Sequence, residues 1–192
     1  MRLLIGLLLA FAVAASVGLG TTLYALQEGT PFGSFKVGAW TAWPRTGTPD
    51  IDPYARALVA RSGELPMGAG DGIAFVATKD DTGAPLNGRC DVAVTGVTPQ
   101  ARFWTLTLYE RDGKLVGNSI SRHSFSSQEI VRNSEGMIDI LVAPRARAGN
   151  WLPTAGVDRY MLVMRFYDSP ISTASRTGRE TPMPSIKVLE CP

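Results

Sequence analysis

The chain is short, nearly neutral and rich in turn-forming residues. Its 192 residues include 20 Gly and 13 Pro, and 19 basic side chains stand against 17 acidic ones, for a net charge of +2. This length suits one domain, and so small and evenly spread a charge argues against a nucleic-acid-binding function. The Gly and Pro residues are scattered between apolar runs, as is typical of a turn-rich β protein.

An apolar segment without a charge opens the chain, from Leu3 to Leu26. A helix rises about 1.5 Å per residue, so a segment of this length can cross a hydrocarbon core about 30 Å thick. Residues 1–28 are therefore predicted to form a transmembrane anchor. A cleaved signal peptide is the alternative, with the small residues from Ala12 to Ala14 as its cleavage site. Against it, apolar residues continue well beyond that point.

The charges that flank this segment predict its orientation. Arg2 and the α-amino group precede it, whereas Gln27 and Glu28 follow it. Positive charge tends to stay on the cytoplasmic side, so we expect the N-terminus in the cytoplasm and the remaining chain outside. A signal peptide would export the domain as well.

The chain has two cysteines, Cys90 and Cys191. In a domain outside the cytoplasm, where thiols are oxidised, an even count favours a disulfide, with two separate buried thiols as the alternative. A zinc site would have to combine both with His123, the single histidine, and would lack a fourth ligand. We therefore predict no metal and no cofactor.

The domain begins with one helix and continues as strands. Residues 29–50 show no sustained hydrophobic period and are predicted to be an irregular tether. Residues 51–192 form the predicted exported domain, whose helix has Asp52 as N-cap, Pro53 at its first position and Gly63 beyond its end.

After this helix, short β-favouring runs alternate with turn residues such as Asp80 and Asp81. Arg165 is the one charged residue in a run that is otherwise apolar on both faces, which predicts a central strand. The pattern predicts a mainly β fold, a jelly-roll-like β-sandwich with one short leading helix. The predicted strands are Ile73 to Thr78, Cys90 to Thr95, Phe103 to Tyr109, Leu115 to Val116, Ile130 to Val131, Met137 to Val142, Tyr160 to Tyr167 and Ile186 to Leu189.

Several short motifs follow one another over most of the exported part. They are Gly38, Trp40 and Pro44, then Asp52-Pro53-Tyr54-x-Arg56-Ala57, Leu65-Pro66, Gly88-Arg89-Cys90, Ala101 to Tyr109, Asn150 to Pro153, and Leu162 to Tyr167. In this order they resemble the domain of unknown function family 1214, found in small bacterial membrane-anchored proteins. The resemblance implies a jelly-roll-like fold and an uncharacterised function.

The resemblance also implies a partner. In longer relatives the domain follows a second uncharacterised domain, family 1254, within one chain, so we expect a separately encoded partner of that kind. With the predicted orientation, this indicates a single-pass protein of the bacterial inner membrane whose periplasmic domain is a binding or assembly module. The alternative function is a carboxylate-dependent hydrolase that acts on envelope glycan or peptide.

No catalytic constellation is predicted. His123 lies in a serine-rich loop, but the sequence has no G-x-S-x-G pattern to hold a nucleophile on a strained turn. Asp80-Asp81 is predicted to be a hairpin turn and Asp139 to point to solvent.

Polar or amphipathic residues that flank the strands are the candidates for ligand binding, because they are able to converge on one end of a sandwich. Arg165 needs an anionic or carbonyl partner, either an internal carboxylate or an anionic or glycan-like ligand beside Trp151. The Trp151 ring is suited to stack on a sugar face, although burial at a structural corner is the alternative. The candidates are Asn118, Arg122, Asn150, Trp151 and Arg165.

Overall fold

The computed structural model describes residues 2–27, 33–62, 66–68, 70–172 and 181–191, and these include ten strands and two α-helices. The helices are α1 (Arg2–Gln27) and α2 (Pro53–Ser62), and a 3-10 turn covers Pro170–Ser172. The strands are β1 (Phe35–Val37), β2 (Trp40–Ala42), β3 (Gly72–Ala77), β4 (Asp91–Gly96), β5 (Phe103–Glu110), β6 (Ser124–Ser126), β7 (Ile138–Ala143), β8 (Asn150–Pro153), β9 (Tyr160–Tyr167) and β10 (Ser185–Glu190). The protein is mainly β, as predicted.

Helix α1 confirms that the N-terminal apolar segment is helical. Its large side chains are exposed, and Phe11 keeps 75% of its surface. The stretch from Arg2 to Ala25 is long and apolar enough to cross a membrane, and its most apolar part is not buried against the domain. A helix of this kind near the N-terminus is compatible with a membrane anchor or with a signal sequence.

Helix α2 begins where the sequence predicts. The Asp52 Oδ1 atom accepts hydrogen bonds from the backbone N–H groups of Tyr54 (2.9 Å) and Ala55 (3.1 Å). These bonds satisfy two of the donors that the first helical turn leaves without a partner, which is the role of an N-cap.

Two strands lie in the stretch that the sequence predicts to be irregular. β1 and β2 form a hairpin, and β2 pairs with β3. Trp40 is fully buried and its indole N–H donates to the carbonyl oxygen of Pro184 at 2.7 Å. Three-residue strands are too short to show a period, so partners distant in sequence decide their structure.

The first sheet is antiparallel with the strand order β1-β2-β3-β9-β5-β6. β9 lies between β3 and β5, which confirms the prediction of a central strand. In β5, Trp104, Leu106 and Leu108 are buried towards the core, so Thr105 and Thr107 point to the opposite, outer face.

The second sheet has the strand order β10-β4-β7-β8, and β7 and β8 run parallel. A jelly roll is built from antiparallel strands, and β7–β8 is the one parallel pair among the strand pairs that the structure describes. Two predicted strands are not strands in the structure: Leu115–Val116 contributes one isolated bridge to Tyr109, and Ile130–Val131 precedes a bridge at Arg132.

Both sheets contribute to a single hydrophobic cluster that includes Phe75, Val92, Leu106, Ile140 and Phe166. The disulfide between Cys90 and Cys191, as predicted, ties the start of β4 to the end of β10.

The sheets also meet beside β10. The Asp81 backbone N–H donates to the Ile186 carbonyl oxygen (3.0 Å), and the Ile186 N–H donates to Asp81 Oδ2 (2.9 Å). Asp81 thus occupies the backbone N–H and carbonyl groups of Ile186 at the edge of β10.

Candidate functional site

Several of the predicted ligand-binding residues lie close together beside β6 and β8, each of which is an edge strand of its sheet. Arg122 Nη1 donates to the Trp151 carbonyl oxygen at 3.2 Å, and its guanidinium carbon lies 5.6 Å from the centre of the Phe125 ring in β6. Arg122 therefore links β6, at the edge of the first sheet, to β8, at the edge of the second sheet. Asn118 holds the loop before β6, since its amide donates to the Arg122 carbonyl oxygen (2.8 Å) and accepts from the Arg122 N–H (3.0 Å).

His123 belongs to the same loop. Its Nδ1 atom lies 2.8 Å from the Val116 carbonyl oxygen, so this nitrogen carries a hydrogen and donates it to the backbone. The contact with the main chain accounts for the position of the His123 ring.

Asn150 and Trp151 also bind the main chain. The buried Asn150 amide accepts from the Val131 N–H (2.9 Å) and donates to the carbonyl oxygens of Val131 (2.7 Å) and Asp139 (2.8 Å). The Trp151 indole donates to the Ala143 carbonyl oxygen at 3.0 Å. Both donor hydrogens of Asn150 are used, which leaves little capacity for a ligand.

Arg165 does not join the other four. Its neighbours in β9, Met164 and Phe166, are buried in the core, so the alternation of the strand directs Arg165 to the outer face of the first sheet. Its Nη1 atom donates to the Tyr109 hydroxyl at 3.2 Å, and its guanidinium carbon lies 5.5 Å from the centre of that ring. The predicted convergence of all five residues on one end is therefore wrong for Arg165.

The outer face of the first sheet is poor in charge and mixes apolar with hydroxyl-bearing side chains. We define it by the outward side chains of β2, β3, β9 and β5, among which Arg165 is the one charged group. The Phe103 and Tyr167 rings lie side by side with centroids 5.7 Å apart, and Val163 is buried. The outer face comprises Thr41, Ala74, Val76, Phe103, Thr105, Thr107, Tyr109, Met161, Val163, Arg165 and Tyr167.

Sequence reasoning missed this surface, although the signal was present. The apolarity of β9 on both faces predicts a central strand, and it does not say what lies against each face. No described helix packs closely on β5 or β9, so one side of that strand forms the outer face. A solvent-facing side of an antiparallel sheet is usually polar.

A cleft of about 210 Å³ lies between the segment after β2 and the start of α2. The Trp43 indole nitrogen is buried and has no hydrogen-bond partner in the described part of the chain. Asp50 and Asp52 both line the cleft, but Asp52 already caps α2. Most of the lining belongs to the predicted irregular tether, so the sequence did not indicate this cleft. The lining residues are Gly33, Trp43, Arg45, Thr46, Asp50, Ile51, Asp52 and Ala55.

Asp80 and Asp81 form the predicted hairpin turn. Burial alone would raise the pKa of Asp80, but hydrogen bonds from the Thr82 hydroxyl (2.7 Å) and from the N–H groups of Ala84 (2.8 Å) and Thr82 (3.0 Å) hold that pKa below its usual value. Within the described ranges, no group of three or more His, Cys, Asp or Glu is placed to hold a metal ion.

Comparison with known proteins shows a family and a fold. The sequence model described as "Protein of unknown function (DUF1214)" matches residues 71–171. The crystal structure of the VPA0106 protein from Vibrio parahaemolyticus is similar, with 21% identity and a TM-score of 0.60 over 93% of this chain and 44% of that one. An uncharacterised protein from Burkholderia cenocepacia has 21% identity and a TM-score of 0.44 over 77% of this chain and 46% of that one.

The chain thus spans less than half of either solved structure. No curated protein matches its sequence. The Vibrio likeness supports the fold alone.

Proposed function

Since the chain belongs to the DUF1214 family of proteins of unknown function, we propose that it is an envelope protein whose β domain is a binding or assembly module. Helix α1 is proposed to remain in the bacterial inner membrane, with the N-terminus in the cytoplasm and the domain, a jelly-roll-like sandwich, in the periplasm. The exposed apolar surface of α1 supports the anchor, and the disulfide supports an oxidising compartment.

The outer face of the first sheet carries the proposal. It offers aromatic, aliphatic and threonine side chains, most of them half-buried, with a single charge. Depletion of charged residues is typical of the core of an interaction surface. The proposed occupant is a separately encoded protein that carries the domain of unknown function 1254. The Vibrio protein supports this choice, because there the fold is part of a polypeptide more than twice as long as the matched region.

The experiment is purification of the full chain from membranes after cross-linking, with identification of the proteins that accompany it. Val76→Lys places a charge on the outer face. Leu141→Lys places the same charge at a half-buried position on the outward side of β7 and serves as the matched control. We expect a family 1254 protein with the unchanged chain and with Leu141→Lys, and its loss with Val76→Lys. Absence of that protein from the unchanged sample contradicts the proposal, as does its retention by Val76→Lys.

The hydrolase alternative would have to use the cleft beside Trp43. A glycosidase needs two carboxyl groups in different protonation states. Asp50 and Asp52 are the two carboxylates that line the cleft, and Asp52 already caps α2. Hydrolysis of envelope glycan or peptide by the purified chain, lost in Asp50→Asn, would favour the enzyme over the module.

A further inference from the structure

Within the described part of the chain, α2 is the element that packs most closely against α1. The side chains of residues 16–24 of α1 are exposed, whereas Ala25, near the end of that helix, is half-buried. Asp52 caps α2 and Arg56 lies in it, and charged groups are costly inside the hydrocarbon of a bilayer. The two helices are therefore expected to meet at the end of α1 that adjoins the domain, where an anchored α1 leaves the bilayer.

One side of α2 faces the domain and the other is exposed. Ala55 is buried and Val59 is half-buried, and residues four apart lie on the same side of a helix. The helical period places Ala57 opposite this side, with Arg56 and Tyr54 flanking it, and all three are exposed. We define the exposed face of α2 by Tyr54, Arg56, Ala57 and Ala60.

The side chains of this face suit the headgroup region of a membrane. Tyrosine has an apolar ring with a polar end and is enriched at membrane–water interfaces. Arginine lies along apolar surface with its stem while its charged head reaches polar groups. Arg56 donates from Nη2 to the Pro49 carbonyl oxygen at 3.0 Å, which uses one of the five donors of a guanidinium. Its positive charge and planar shape are suited to a phosphate group.

The surplus of positive charge in the domain lies in the segment that contains α2. Residues 33–62 hold four basic and two acidic side chains, whereas residues 63–192 hold fourteen of each. Basic side chains next to a membrane are attracted to anionic phospholipids, and the attraction falls off within a Debye length. The charge is therefore greatest where an anchored domain comes closest to lipid. The four basic residues are Lys36, Arg45, Arg56 and Arg61.

We propose that the exposed face of α2 contacts the phospholipid headgroups of the membrane that holds α1, and that anionic headgroups strengthen this contact. The inference rests on the proposed anchor and goes beyond it. A second contact with the membrane limits the tilt of the domain, and so sets the direction in which the outer face of the first sheet points.

Spin labels in the full chain test the contact. The native cysteines are bonded to each other, so a single introduced cysteine carries the label in each variant. Ala57→Cys probes the exposed face of α2, Leu19→Cys probes α1, and Asp139→Cys, at an exposed position in β7, is the matched control. Each variant is placed in lipid nanodiscs of phosphatidylcholine, with or without phosphatidylglycerol. Collisions of the label with oxygen and with a water-soluble nickel complex are measured.

We expect the Leu19 label to meet oxygen, the Asp139 label to meet nickel, and the Ala57 label to be shielded from nickel when phosphatidylglycerol is present. Raising the salt concentration from about 0.02 to about 0.5 M shortens the Debye length and should reverse the shielding.

Each contrary outcome has its own meaning. A Leu19 label that meets nickel would overturn the anchor and this inference together. With Leu19 in lipid, an Ala57 label as open to nickel as the Asp139 label would overturn the contact of α2 alone. Shielding that depends on neither lipid nor salt would contradict the role of anionic headgroups. Shielding in discs with several chains but not in discs with one would assign the face to a second copy.

Substitutions of Arg56 in the Ala57→Cys chain test the charge itself. Arg56→Gln is expected to lower the ratio of shielded to open label roughly fivefold, because one positive charge near the surface is lost. Arg56→Lys keeps the charge and should retain most of the shielding. Arg145→Gln changes an exposed arginine before β8 and is the matched control. Equal loss in both Arg56 variants would mean that Arg56 acts through its bond to Pro49, and an unchanged ratio in Arg56→Gln would also refute the assignment.

Discussion

Asp80 is a buried carboxylate that is bonded within its own turn. Three donors from Thr82 and Ala84 surround one of its oxygens, and Asp81 next to it contacts β10. A side chain that accepts several hydrogen bonds from its own loop holds that loop in place without a ligand. Asp80 is therefore a structural residue.

Asp80→Ala is expected to lower the free energy of unfolding by about 2–3 kcal/mol at pH 7, because three donors lose their acceptor. The pKa of Asp80 is lower in the folded chain than its ordinary value of 3.8. Its ionised form therefore stabilises the fold above that value, and this contribution is lost as the pH falls through the folded pKa. Urea unfolding at pH 7 and near pH 3 measures both effects.

The difference between Asp80→Ala and the unchanged chain should shrink at the lower pH. Asp139→Ala, at an exposed position, is the control and should stay within about 0.5 kcal/mol of the unchanged chain. A difference for Asp80 that does not depend on pH would contradict this account.

Asn150→Ala is expected to lower the free energy of unfolding by about 2–4 kcal/mol, because the Val131 N–H and the carbonyl oxygens of Val131 and Asp139 lose a buried partner. Thermal or urea unfolding measures the loss. Asn118→Ala removes an amide that is less buried and should cost less. If Asn150 served a ligand and not the fold, its substitution would leave the stability unchanged.

The sequence indicated where these polar residues lie but not what they contact. Asn150 and Trp151 were candidates because a polar and an aromatic residue flank a predicted strand. Their actual partners are the main chain of residues 131, 139 and 143, which are distant enough in sequence that no local pattern contains them.

At the level of whole elements, length and alternation decide what the sequence predicts. β5 and β9 have eight residues each and a clear inward side, so both were predicted within one residue. β6 and β8 have three and four residues, and β8 contains Pro153, which is typical of an edge. Such strands exist because a longer neighbour supplies their hydrogen bonds, and a single sequence does not show that neighbour.

The disulfide is expected to act on β10 more than on any other strand. Cys90→Ser with Cys191→Ser opens a loop with a sequence separation of 101, and the chain-entropy model gives a loss of about 4–5 kcal/mol for a loop of this order. We expect backbone amide exchange to accelerate most in β10, because that strand then loses its covalent tie and keeps only its pairing with β4 and the two bonds between Ile186 and Asp81 among the described contacts of its main chain.

Exchange in the central strand β9 is the internal control for the cysteine variant. Equal acceleration of β9 and β10 relative to the unchanged chain would mean that the bridge stabilises the whole domain and not its last strand. Reduction of the unchanged chain should reproduce the effect of the double variant.

For the molecule as a whole, the sequence predicts two sheets, because it predicts a sandwich. It does not predict which strands pair within each sheet. The parallel β7–β8 pair depends on a crossover whose direction no residue pattern records. Five of the eight residues that line the cleft beside Trp43 belong to the predicted tether and the others lie at or next to the start of α2, so no periodic pattern marked this cavity.

The fate of α1 has a direct test in the mass of the mature chain. If α1 is retained as the proposed anchor, the intact protein from membranes should keep its N-terminal residues, and the disulfide should make it about two daltons lighter than the reduced chain. Alkylation without and with a reductant is the control for the bridge. Loss of the first 14 or so residues would refute the anchor and leave export intact.

The bonds of Asp81 to the Ile186 backbone at the edge of β10 matter most in a crowded bilayer. Anchoring by α1, as proposed, would confine many copies to one plane with their domains at similar height, where an open strand could recruit the strand of a neighbour. Asp81 fills that position on β10, and Arg122 fills another by binding the Trp151 carbonyl oxygen of β8. Each edge of the smaller sheet thus has one backbone position that a neighbouring strand could not use, which favours lateral association through side chains.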